Sequence, residues 1–230
     1  MKVSFHNHTK YSWDCLTSLS ELERSCVRTG IRVLIITDHN EIDGALRAAQ
    51  RFEHIKIIVG EEITTAEGEI VGIFLTDRIA PGLSLKETLA EIHRQGGLAA
   101  AVHPFDRLRK HVISEEALLA HVEDIDIVEH FNSRTVFRQD NDKARVFAER
   151  NEKPMIAGND AHTVWEIGLS VMDMSDFSDA ESFLQNLKQA ECTCKRAPLS
   201  VHLITKIVKW SRRLGFVKLI RAQWKFQVKK

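Results

Sequence analysis

Histidines and carboxylates recur in this chain at the ends of short apolar runs. Lys2 to Phe5 leads into His6 and His8, Arg32 to Thr37 into Asp38 and His39, and Ile55 to Val59 into Glu61 and Glu62. Leu98 to Val102 leads into His103, Ile125 to Val128 into Glu129 and His130, and Pro154 to Gly158 into Asp160 and His162. Imidazole and carboxylate are the side chains that hold zinc, iron and manganese. In extended backbone, residues two apart lie on one side, so both rings of His6-Asn7-His8 can reach one ion. The same alternation puts Glu61 and Glu62 on opposite faces, with one of them facing inward. Each pair has a bland reading alone: a chance His-x-His, a helix-capping Asp38, a hydrogen-bonded core histidine. Several such groups brought together and buried imply cations, because unpaired buried charge is costly.

Convergence needs a scaffold. Short β-branched runs alternate with segments of helical period, the pattern of parallel strands in an α/β fold. Ser18 or Ser20 can cap a helix that Gly30 ends, and Ser84 caps one broken at Gly96-Gly97. Glu69 to Leu75 reads as a strand paired as a hairpin through Ala66-Glu67-Gly68. Further strands are expected at Gly168–Met174, and helices near 41–52, 114–121, 139–150 and 179–190. Seven or so units in about 195 residues suit a small, irregular barrel, since the eight-unit form typically needs about 250. Parallel barrel strands point their C-terminal ends at one face, where active sites lie.

The residues resemble those of a known family. His6-x-His8, Ser12-x-Asp14, Thr37-Asp38-His39, Gly60-x-Glu62-Ile63, His103-Pro104 and Asp160-x-His162 together are similar to the polymerase-and-histidinol-phosphatase (PHP) domain, in its order, over essentially residues 1–170. The resemblance implies a distorted (β/α)7 barrel, two or three divalent metal ions (manganese, iron or zinc) and phosphoesterase chemistry. Carried over by position, it implies the ligands His6, His8, Asp14, His39, Glu62, His103, Asp160 and His162, with Glu62 bridging. Many members place a histidine on the strand after Gly-x-Glu, where this chain has Glu69. That glutamate either ligates manganese or iron or is a solvated turn residue.

A hydroxide held between two cations is a strong nucleophile near neutral pH, and charge developing on phosphate oxygens favours a nearby cationic side chain. His39 and Glu62 are the expected catalytic ligands, with Arg107 and Arg109 on the loop after His103. Arg107, Arg109, Asn132 and Arg134 are the substrate-binding candidates, arginine being the better phosphate fork. Glu129 and His130 are candidates to orient ligands. The expected substrate is a phosphorylated metabolite, nucleotide or oligonucleotide. A carbon–nitrogen hydrolase is the enzymatic rival, and the lack of a strand-end lysine to bridge two metals counts against it.

The formal charge of zero hides an asymmetry. Residues 195–230 hold 11 Lys or Arg and no acid, leaving 21 basic against 32 acidic residues, or −11, in the rest. The expected boundary falls near Arg196-Ala197-Pro198, giving a barrel at 1–195 and a basic, helical, amphipathic extension at 196–230. That extension suits an anionic membrane surface, a nucleic acid, or packing on the acidic body. A binding module acting through this tail, with structural metals, is the non-enzymatic alternative. The four cysteines have no framework spacing and no signal-peptide core is present, so a cytoplasmic protein with reduced thiols is expected. The oligomeric state is not legible.

Overall fold

A computed structural model describes residues 1–213. Seven strands form a closed barrel: β1 (Lys2–Asn7), β2 (Val33–His39), β3 (Lys56–Thr64), β4 (Glu69–Ile73), β5 (Leu98–Ala101), β6 (Ile127–Asn132) and β7 (Met155–Ala161), with β1 pairing both β2 and β7. Six run parallel. The exception, β4, is antiparallel to β3 and β5, as the expected hairpin requires. β8 (Val171–Asp173) lies antiparallel to the start of β1, outside the ring, and carries β9 (Glu191–Thr193), a strand not anticipated from the sequence.

Helices α1 (Leu19–Thr29), α2 (Asp43–Arg51), α3 (Leu85–Arg94), α4 (Glu115–Ala120), α5 (Arg138–Arg150) and α6 (Ala180–Leu187) connect or follow the strands. Local chemistry sets their ends. Ser18 and Ser84 each close a capping box with the glutamate three residues on, and Gly30 ends α1 at φ 73°. α2 has no side-chain cap. Asp38, read as its cap, instead accepts hydrogen bonds from Thr9 and Ser12 and ties down the loop after β1.

Strand alternation separates two apolar layers. Val33 and Ile35 join Val3, Phe5, Ile58, Val71, Ala100 and Ile127 in the barrel interior. Leu34 and Ile36 face outward, against Leu22 and Cys26 of α1 and Ala45 and Ala48 of α2. Phe177 and Phe183 pack edge-on and plug the end where the strands begin. The ring is therefore filled at one end, and functional side chains have room only at the other.

α7 (Ser200–Arg213) leaves the body after β9 and returns to the open end. Val201, Thr205, Val208 and Ser211 are buried against the barrel, and Arg212 donates to the Lys10 and Cys15 carbonyls. The remainder of the basic segment, 214–230, lies outside the described residues.

All four cysteines are free; Cys15 and Cys26 are buried, Cys192 and Cys194 exposed. Burial pushes the Cys26 thiol up to about 12 and raises that of Cys15 further. Thiolate is the reactive form. Titration of the native protein with a thiol reagent is expected to give two accessible groups, Cys192 ahead of Cys194 because their mutual hydrogen bond lowers the first thiol and raises the second, rising to four on denaturation.

Candidate metal centre

At the open end five imidazoles and four carboxylates meet. β1 delivers His6 and His8, β2 His39, β3 Glu62, and β7 Asp160 and His162. His103 follows β5, Glu69 begins β4, and Asp14 comes from the loop before α1. His6, His39, Glu62 and Asp160 sit in the last residues of their strands, and His8, His103 and His162 lie one or two residues beyond. His6, His103 and Asp160 hold φ of 61°, 35° and 51°, a left-handed conformation that L side chains rarely adopt. The register of β1 shifts against β2 between Ser4 and Asn7, and against β7 between Phe5 and Asn7.

The register explains which glutamate enters. Ile58, Gly60 and Glu62 share the inner face of β3, whereas Glu61 points out and accepts from the Ile79 amide at 2.8 Å. Glu62 Oε1 lies 2.9 Å from His103 Nε2, and its Oε2 lies 3.3 Å from His6 Nε2 and from His8 Nε2 and 3.1 Å from His39 Nδ1. Asp14 Oδ2 lies 3.0 Å from His162 Nε2 and 3.4 Å from His39 Nε2. The rings of His8 and His162 are 4.2 Å apart.

Four overlapping trios have donor atoms within 4.8 Å of one another: His8/His39/His162, His6/Glu62/His103, His6/His8/Asp160 and His39/Glu62/Glu69. Glu62 belongs to two of them, as a bridging carboxylate would. His6 Nε2, His8 Nε2, Asp14 Oδ1, Glu62 Oε2, His103 Nδ1 and Asp160 Oδ1 are buried without a hydrogen-bond partner. Such atoms are costly unless something binds them, and the nitrogen–oxygen donor set fits manganese, iron or zinc.

Charge tells the same story. Burial opposes ionisation of His39, yet Glu62 and Asp14 outweigh it and lift its pKa to about 9. His6 is likewise raised against its burial, by Glu129 and Glu62. Burial and His162 take His8 down to about 3. Burial would raise Asp160, but Arg109 and His6 hold it well below the usual carboxylate range. Burial and Glu62 raise Glu69. The carboxylates thus draw positive charge to this volume, a demand that divalent ions meet while displacing protons from the rings.

A second layer fixes the rings. Glu129 Oε1 pairs with His6 Nδ1 at 2.9 Å, and its Oε2 accepts from the His103 amide at 2.7 Å and Asn132 Nδ2 at 2.9 Å. Ser12 Oγ donates to Asp38 and lies 3.1 Å from His8 Nδ1. Both contacts leave Nε2 of the ring facing the cluster. Glu166 accepts from the His162 and Thr163 amides. The Thr163-to-Glu166 spacing of a capping box was the signal for it. His130 faces the Ile156 carbonyl instead and takes no part.

A cavity of about 650 Å³ opens over the cluster, lined among others by Asp14, His39, Glu69, Arg109, Arg134, Lys206 and Lys209. Arg109 pairs with Asp160 and Asp106. Arg134 is buried, with Nε 3.2 Å from Glu166, Nη1 2.7 Å from His162 Nδ1 and Nη2 2.7 Å from Thr205 of α7. Asn132 is buried behind the ligands. Arg107 does not line the cavity; it pairs with Asp140 and lies over the Phe137 ring. Lys209 was not singled out by the sequence, yet its Nζ reaches 3.3 Å from Asp14 and 4.4 Å from the Trp13 ring centre.

Fold and site together define a barrel hydrolase of the metal-dependent type. The chain belongs to the PHP domain family, whose model matches residues 4–160, with the PHP-associated model matching 138–192. An uncharacterised protein of Methanocaldococcus jannaschii is 36% identical over 184 residues, covering 77% of this chain and 72% of its own length. A two-domain protein from Bacteroides vulgatus, ascribed a PHP-like metal-dependent phosphoesterase, superposes with TM-score 0.68 at 17% identity over 85% of this chain and 65% of its own. A Bifidobacterium adolescentis protein ascribed metal-dependent phosphoesterase activity gives TM-score 0.61 at 16% identity over 86% of this chain and 97% of its own. At these identities the likeness shows the fold.

Two substitutions test the second layer. Glu129→Gln should keep the fold and weaken metal binding roughly 10–100-fold in a calorimetric titration, since the amide cannot accept from all three donors. A Cβ at Gly158 would lie 1.7 Å from Glu129 Oε1. Gly158→Ala is therefore expected to cost about 1–3 kcal/mol, read as a lower Tm, and to reduce metal content.

Proposed function

We propose that this protein is a phosphoesterase that binds two or three manganese, iron or zinc ions and hydrolyses a phosphate ester of a metabolite, nucleotide or oligonucleotide. The observation that carries the reading is the set of four donor trios sharing His6, His8, His39 and Glu62 beneath one cavity. Adjacent sites that share ligands suit a reaction whose attacking and leaving oxygens both need stabilisation. His6, His8, Asp14, His39, Glu62, Glu69, His103, Asp160 and His162 would hold the ions, which supply Lewis-acid activation of water and of the phosphoryl group.

The chain's own residues do the rest. Glu129 and Ser12 hold His6 and His8 with Nε2 aimed inward. Burial strips water from the carboxylates, so their field acts in a medium of low effective dielectric. Arg109 and Arg134 place fixed positive charge in the cavity wall, where it opposes the negative charge building on the phosphoryl oxygens. Because both are already paired with carboxylates, they act by electrostatics and by orienting Asp160 and His162. Arg107, engaged with Asp140, has no part in this reading.

Purified protein stripped of metal and reloaded with Mn²⁺ is expected to hydrolyse an aryl phosphate ester. His39→Ala should lower kcat/KM by roughly two orders of magnitude or more. Absence of turnover of phosphomonoesters, phosphodiesters and nucleotides with Mn²⁺, Fe²⁺ and Zn²⁺ would overturn the reading.

A further inference from the structure

Apart from Trp210 at the cavity rim, the apolar residues on the outer face of α7 have no part in the active site. The inner face of the helix is buried on the barrel through Val201, Thr205, Val208 and Ser211. Leu199, Leu203, Ile207 and Trp210 project the other way and are 66%, 62%, 47% and 65% exposed. Leu203, Ile207 and Trp210, spaced four and three residues apart, stack on one stripe of a helix with 3.6 residues per turn, and Leu199 sits in the turn just before it. Isolated exposed apolar residues are ordinary, but four together form a patch. Lys206 lies along one flank of it, beside Lys209, whose Nζ turns inward to Asp14. The segment 195–230 carries 11 basic residues and no acid.

We propose that the outer face of α7 docks on an anionic membrane surface. An apolar stripe bordered by cations is what seats a helix in the plane of a lipid interface, side chains among the acyl chains and lysines among the headgroups. Charge fixes the orientation. The rest of the chain carries a formal −11 and is repelled by such a surface, so the basic face alone can approach it. Nucleic acid fits less well, because its backbone is gripped by cations and aromatics and offers nothing to Leu199, Leu203 and Ile207. Among the described residues no helix is long and apolar enough to cross a membrane. Lys206, Lys209 and Trp210 also line the cavity, and docking sets its mouth beside the surface.

The test is sedimentation of the full chain with phosphatidylcholine vesicles, with and without phosphatidylserine. The expected result is retention on the phosphatidylserine vesicles that falls with salt. The double variant Leu203→Asp/Ile207→Asp alters only outward positions; it should bind at least about tenfold more weakly while keeping its fold by circular dichroism and its aryl phosphate hydrolysis. No retention on phosphatidylserine vesicles, or retention undiminished in the variant, overturns the proposal. So does a dimer in light scattering that the variant converts to monomer, which would mean that a second copy covers the stripe. Retention on DNA without retention on vesicles overturns it in favour of nucleic acid. Loss of hydrolysis in the unsubstituted protein would bear on the phosphoesterase reading and leave the vesicle result standing.

Discussion

Asp14, Glu62 and Asp160 are carboxylates with almost no access to water, crowded at the open end of a barrel whose other end is plugged with phenylalanine. Left uncompensated they would cost several kcal/mol each. The surroundings are arranged to answer them: Arg109 at Asp160, the histidine rings at Glu62 and Asp14, and Lys209 reaching in from α7. His39 and His6 are driven toward their charged forms although burial opposes it. A site that recruits protons against desolvation is one built for cations.

Meeting that demand distorts the backbone. His6, His103 and Asp160 all hold positive φ where they meet the cluster, at a cost on the order of 1–3 kcal/mol each. The strain is held by a rigid frame. Glu129 ties the His6 ring to the His103 backbone, and Asp38 binds the loop that carries Ser12. Gly158 supplies the space that Glu129 fills, so a missing side chain is as much a part of the site as the ligands.

The charge asymmetry of the chain meets the site at α7. The body is acidic well beyond the ligands, and α7 brings Lys206 and Lys209 to the cavity in its mouth. That helix joins the site through Thr205 and Lys209 on one side and leaves an apolar stripe on the other.

The barrel was legible in the sequence because strand and helix periods, Ser18, Ser84 and Gly30 are local signals, and β2 shows both of its buried layers as one unbroken apolar run. So were the types and order of His6, His8, His39, Glu62, His103, Asp160 and His162; alternation put Glu61 and Glu62 on opposite faces, and the family pattern chose Glu62. β9 and the true partners of Asp38 were not legible, nor was the diversion of Arg107 to Asp140. Each depends on contacts between residues far apart in the chain, and a local pattern carries no record of distance. By itself, then, the sequence determined which residue types end the strands and that only one of Glu61 and Glu62 faces inward, because spacing along a strand dictates its face. Only the tertiary structure decided which atoms are left unpaired, which arginines are spent on carboxylates, and that a basic tail helix walls the cavity. Those outcomes follow from packing in three dimensions, where low dielectric makes every charge seek its nearest opposite.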